Sequence, residues 1–288
     1  MENNQMINVG GNIESAVQGQ YSIDIRAVLQ EAWALTKISR LSIVIGALIC
    51  MFLSMVIVLV TSQYLGGVES ALKDMKAQYI INVLVTLAIS PFIAGIEMMG
   101  VFHAVGLKTQ PKLVFAFLSK GAIIAICALL SSTLSSLGFN LLILPGIFLL
   151  VTLSLTVPLV VEKNMMPIKA IILSVKSLRF QFFKLLAIYG ILAMILIISI
   201  FPLLAMMNSG FEMIGIVFLC FVLTYLTPLF YNTKGILYRE IFGIKVNTSE
   251  APAGSHTDND DDNHDSGDND SSDNDSNNSN GNNGSFTA

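Results

Sequence analysis

Six long apolar stretches, with nearly every positive charge held outside them or at their rims, limit what this chain can become. They span about 41–65, 80–105, 121–137, 141–161, 183–206 and 211–231. As helices rising ~1.5 Å per residue, such runs reach across ~30 Å of hydrocarbon, some of them with tilt. Transmembrane barrel strands would alternate polar and apolar residues, and these runs do not. The expected fold class is all-α: a polytopic membrane protein, a six-span helical bundle with amphipathic helices on its cytoplasmic side. Only 12% of residues are charged, against about 25% in soluble domains.

The 16 Lys and Arg residues sort sharply under that topology. Lys73 and Lys76 fall on one side. On the other lie Arg26, Lys37, Arg40, Lys108, Lys112, Lys120, Lys163, Lys169, Lys176, Arg179, Lys184, Lys234, Arg239 and Lys245. Basic residues are retained in the cytoplasm, so both termini are expected there, in a bacterial inner (plasma) membrane. The first 20 residues carry only Glu2 and Glu14 as charges. The first apolar run starts too late and runs too long for a cleaved signal peptide, so it is expected to serve as the insertion signal.

Three regions follow. Residues 1–20, rich in Asn, Gln and Gly, are expected to be disordered. Residues 21–245 form the membrane domain. Residues 246–288 are an Asp/Asn/Ser-rich tail with no Lys or Arg after Lys245 and nine Asp between Asp258 and Asp275, also expected to be disordered. Asp258, Asp260 and Asp262 alternate as in a calcium loop, but Asn263 stands where that loop needs Gly and the closing Glu is missing.

The basic side has its own pattern. In 21–40, Ile25, Val28, Leu29, Ala32, Trp33 and Leu35 recur at helical spacing beside Arg26, Glu31 and Lys37. This predicts an amphipathic helix on the membrane surface, with Trp33 at headgroup level. Segments 111–120 and 167–179 read similarly, each opening on a proline. Residues 25–41 lie over 168–184 without a gap, matching Ile25 to Ile168, Arg26 to Lys169, Ala27 to Ala170 and Leu35 to Leu178. The expected unit is a surface helix followed by a two-span hairpin, repeated three times.

Stretch 143–185 is more specific: Pro145–Gly146 opens a span that ends in Pro158 and Glu162, followed by Ala170-x-x-x-Ser174 and a basic-aromatic run. Upstream, Pro91 and Gly95 sit in a span that leads to a basic turn and a Phe-rich segment at 113–118. Over about 21–245 the chain resembles the YciC-like family of bacterial inner-membrane proteins. It is similar, too, to the membrane domain attached to some glycerophosphodiester phosphodiesterases. The resemblance implies a bundle of about six spans without an assigned activity. The phosphodiesterase domain is missing, and the acidic tail departs from the family pattern.

Glu97, inside the second span, is the sharpest site candidate. A carboxylate at mid-depth costs about 2.5 kcal/mol or more, so it faces a cavity or a partner. It reads either as a proton- or cation-linked site or as a group protonated or hydrogen-bonded to the third span. His103 lies six residues on, ~240° round a helix at ~100° per residue, so the two are expected on different faces. Ser131, Ser132, Thr133 and Ser135 either line a polar path or let helices pack closely. Cys50, Cys127 and Cys220 sit in apolar runs without disulfide or metal spacing.

No catalytic or cofactor motif appears. The expected function is that of a non-enzymatic envelope protein acting through lipid or protein contacts. Its partners would be the bilayer, anionic headgroups at the cytoplasmic face, and a protein partner or a second copy; no nucleic acid is implied. The alternative is a small transporter or channel, with Glu97 and the serine cluster lining the path.

Overall fold

A computed structural model describes residues 6–207 and 210–247. Of the tail expected to be disordered, Val246 and Asn247 belong to a strand, and the rest from 248 on, including the Asp258–Asp262 pattern, lies outside the described residues. Strand β1 (Met6–Val9) leads through α1 (Ile13–Gln18) to α2 (Ile25–Tyr64). A short α3 (Val68–Lys73) precedes α4 (Met75–Ala104). Two 3₁₀ turns, Pro111–Phe115 and Leu118–Lys120, enter α5 (Gly121–Leu141). Then come α6 (Ile143–Thr152), α7 (Thr156–Glu162), α8 (Pro167–Leu178), α9 (Phe182–Met206), α10 (Glu212–Phe242) and β2 (Ile244–Asn247).

Six helical segments are long and apolar enough to cross a membrane, and the chain is a multi-pass membrane protein. Large side chains such as Phe52, Leu144, Ile198, Phe201, Met213 and Phe221 point outward. A soluble monomer rarely exposes so much contiguous apolar surface; a bilayer covers it.

The core forms around α10, which packs on α2, α4 and α9. Its residues from Asn232 to Tyr238 are all buried. Close approach is set by glycine: a Cβ on Gly235 would lie 2.0 Å from the Gly100 carbonyl oxygen of α4, and one on Gly100 would lie 2.1 Å from the Tyr231 oxygen. Small residues allow this backbone-to-backbone contact in membrane bundles. Similarly, Val114 of the first 3₁₀ turn fills a notch between Gly46 of α2 and Gly95 of α4.

Several expectations are corrected. Residues 6–20, expected to lack structure, pair and pack. β1 runs antiparallel to β2, from Met6 opposite Asn247 to Val9 opposite Ile244, so the flanks of the bundle meet on one side of it. Gly10 and Gly11 lie against the last turn of α10, where Gly11 N–H donates to Arg239 O at 2.9 Å. Ala16 of α1 is fully buried. Tyr21 donates to Ser177 O at 2.8 Å, and burial pushes its phenol up to about 12.

The expected surface helix at 21–40 is not separate: α2 is one 40-residue helix. Val28, Ala32 and Thr36 are buried against the bundle, so packing holds this stretch in line with the span. Segment 111–120 forms 3₁₀ turns rather than an α-helix, tucked onto α4. Two positions matched in the expected repeat differ in burial: Ala170 is buried where its counterpart Ala27 is exposed. The last helix runs on past Tyr231 to Phe242, which brings Lys234 and Arg239 into it.

The fourth span is broken between α6 and α7. Pro158 has no N–H to donate to Ser154 O, and its ring disfavours a continuous helix there. Ser174 of α8 donates to Thr152 O at 2.6 Å and satisfies the end of α6. This explains the Ala170-x-x-x-Ser174 spacing: both small residues face inward, and the hydroxyl finds a freed carbonyl.

Candidate functional site

The polar residues of the bundle converge on the last three turns of α10. Glu97 of α4 and Lys234 of α10 form an ion pair at 2.5 Å, with each side chain only 8% exposed. Glu97 Oε2 is buried and has no hydrogen-bond partner among the described residues. Of the three ammonium N–H donors, one goes to Glu97; the Phe230 ring centroid lies 5.9 Å from Nζ. The partner expected for Glu97 from the third span is replaced by a lysine 137 positions away.

His103 also meets α10, through a separate chain of bonds. Its Nδ1 lies 2.9 Å from Asn232 Oδ1 and its Nε2 2.7 Å from Thr109 Oγ1. Asn232 Nδ2 donates to Thr36 Oγ1 at 3.1 Å, while Thr36 donates to Ala32 O at 2.8 Å. Because the Thr36 proton is spent on a carbonyl, Asn232 must present its amide to Thr36 and its oxygen to His103. The ring therefore carries a proton on Nδ1, which donates to Asn232 Oδ1. Ser42 lies 3.1 Å beyond Thr109. His103 is a tie between α2, α4, α10 and the following loop.

At the end of α10, Arg239 makes a bidentate pair with Glu31 of α2 at 2.6 and 2.9 Å and reaches Glu240 at 2.6 Å. It also donates to Ala104 O at 2.5 Å, placing a cation on the last carbonyls of α4. Tyr238 donates to Glu162 at 2.9 Å, and Lys163 bridges Glu162 and Gly243 O at 3.0 and 3.1 Å. These bonds clamp α7 to α10.

The structure does not bring the serine cluster to this site. Ser132 and Thr133 are exposed, and Ser131 and Ser135 are half-buried on α5. Ser132 donates back to Leu129 O at 3.0 Å. Among the described residues, no hydrogen bond joins the four to Glu97 or His103, and no group of His, Cys, Asp or Glu could hold a metal ion.

Two kinds of cleft flank the site. One, of about 590 Å³, runs between α6, α9 and α10 and has Lys234 in its wall. The others, of about 450 and 640 Å³, surround the loop after α4. They combine Leu107, Leu113 and Ile38 with Lys108, Lys112 and Thr109.

No family model, curated protein or solved structure matches the chain. The resemblance to the YciC-like family therefore gains no support from the comparisons.

Proposed function

We propose that this is a non-enzymatic protein of a bacterial inner membrane, with both termini cytoplasmic, that acts by holding anionic lipid headgroups at its cytoplasmic rim. The carrying observation is the pair of clefts around the α4–α5 loop. There, Lys108 and Lys112 stand beside apolar walls, and neither makes an ion pair among the described residues. By contrast, Lys163, Lys234 and Arg239 are spent on carboxylates inside the fold. An unpaired lysine near a membrane surface attracts anionic lipid by about 1 kcal/mol. The one-sided charge distribution supports the location and orientation.

Both parts are open to measurement. Reporter fusions at Gly138 should read periplasmic and fusions after residue 288 cytoplasmic; the reverse would overturn the orientation. For lipid selection, the protein is purified from nanodiscs of phosphatidylglycerol and phosphatidylcholine and its retained lipid is counted by native mass spectrometry. Phosphatidylglycerol should be preferred. The Lys108→Gln/Lys112→Gln variant should lose roughly tenfold or more of that preference, following ~1 kcal/mol per lysine. Equal retention of both lipids by the parent protein would sink the reading.

A further inference from the structure

The cleft between α6, α9 and α10 has a polar end and an apolar body. Lys234 lies at one end, and Leu192, Leu196, Leu223 and Leu226 line the remainder. Along α10 the wall from Leu223 to Lys234 measures roughly 16 Å at ~1.5 Å per residue. Lys234 is more than nine-tenths buried, and its only hydrogen bond among the described residues goes to Glu97, which leaves ammonium donors unspent. Ser154, in the gap between α6 and α7, also faces the cleft. It accepts from Tyr189 at 3.0 Å, while its own proton has no acceptor among the described residues. Thr227 adds a third hydroxyl-bearing wall residue.

An apolar slot that ends in buried, unspent donors is complementary to an amphiphile whose head is an acceptor. We propose that this cleft is a binding site for a long-chain carboxylate, a fatty acid anion, held head-first on Lys234 with its chain along α9 and α10. The head is a single carboxylate, matched to the one ammonium and the wall hydroxyls at the end of the slot. A doubly charged phosphate would gather too much negative charge around a single ammonium. One carboxylate oxygen accepts from Lys234 and the other from a wall hydroxyl. The break in the fourth span serves this site: a continuous helix would close the gap between α6 and α7 in which Ser154 lies. The site is separate from the lysine rim and does not depend on it.

The test uses the full chain in phosphatidylcholine nanodiscs and an eighteen-carbon fatty acid carrying a photoreactive diazirine near its chain end. Labelled peptides are mapped after irradiation. Labelling should saturate and concentrate on α9 and α10. Excess oleate should lower it at least tenfold, and oleyl alcohol, with the same chain and no charge, less than twofold. Glu97→Gln/Lys234→Gln, which removes both charges together, should lose labelling tenfold. So should Leu223→Trp, which fills the slot and leaves the pair intact. The Lys108→Gln/Lys112→Gln variant should label normally, so failure at the rim and failure at the cleft are told apart. Equal competition by the alcohol, label spread over the whole lipid-facing surface, or normal labelling of Leu223→Trp would each overturn the proposal.

Discussion

Replacing Lys234 alone with Met should cost this protein about 3–5 kcal/mol of stability, because it strands the Glu97 carboxylate inside the bundle without its counter-charge. In a thermal melt followed by size-exclusion chromatography, the variant should lose its monodisperse fraction well below the temperature of the parent. Glu97→Gln alone should be damaging for the same reason with the signs reversed. The double variant Glu97→Gln/Lys234→Met should recover most of the loss, since a neutral pair of similar volume leaves no unpaired charge in the bundle. The recovery is the decisive quantity. A double variant as damaged as the sum of the singles would show that the two residues do not couple, and the pair at 2.5 Å would lose its structural role.

The second large effect is steric. Gly235→Ala should destabilise the bundle by at least the ~1–3 kcal/mol typical of overpacking. The added Cβ would stand 2.0 Å from the Gly100 carbonyl oxygen, and neither backbone can retreat without parting the helices. That retreat would also pull Lys234 from Glu97 and Asn232 from His103, both held across the same crossing. Gly190→Ala on α9 is the control, because open space surrounds that position. Urea or thermal unfolding of the two variants should separate them clearly; comparable midpoints would refute the close-approach account.

Much of the bundle was legible because burial in lipid leaves a crude signature: long apolar runs need no knowledge of their neighbours. Glu97 stood out by the same logic, as a charge where hydrocarbon penalises it. Its partner did not, since Lys234 follows an apolar run and reads as a rim lysine. A signal was present in the residues beyond it. Gly235–Tyr238 and Ile241–Phe242 continue the apolar character, and Gly243 marks a helix stop. Reading the helix to that glycine places Lys234 more than two turns inside it. Which carboxylate it meets depends on a crossing between elements 137 positions apart, and periodicity carries no such information.

The basic layer needed a similar revision. Charge counts by side treat all basic residues alike, yet Lys163, Lys234 and Arg239 serve as internal ties while Lys108 and Lys112 make no ion pair among the described residues. The amphipathic stretch before the first span was visible, but its apolar face packs on protein and continues α2 without a break. The break at Pro158 had a readable cause. Proline in a span is also compatible with an uninterrupted helix, as Pro91 and Pro202 show, so the residue type did not settle the outcome.

The ribbon of β1 and β2 has a consequence for assembly. Its strands lie at opposite ends of the membrane domain, so a ribosome makes the first long before the second exists. Until α10 is inserted, Glu97 has no lysine, His103 has no asparagine and the β1 backbone has no mate. Non-local pairings of this kind close late. The last helix therefore acts as a keystone: every earlier helix can enter the bilayer on its own hydropathy, but only its arrival converts a row of inserted hairpins into a closed structure.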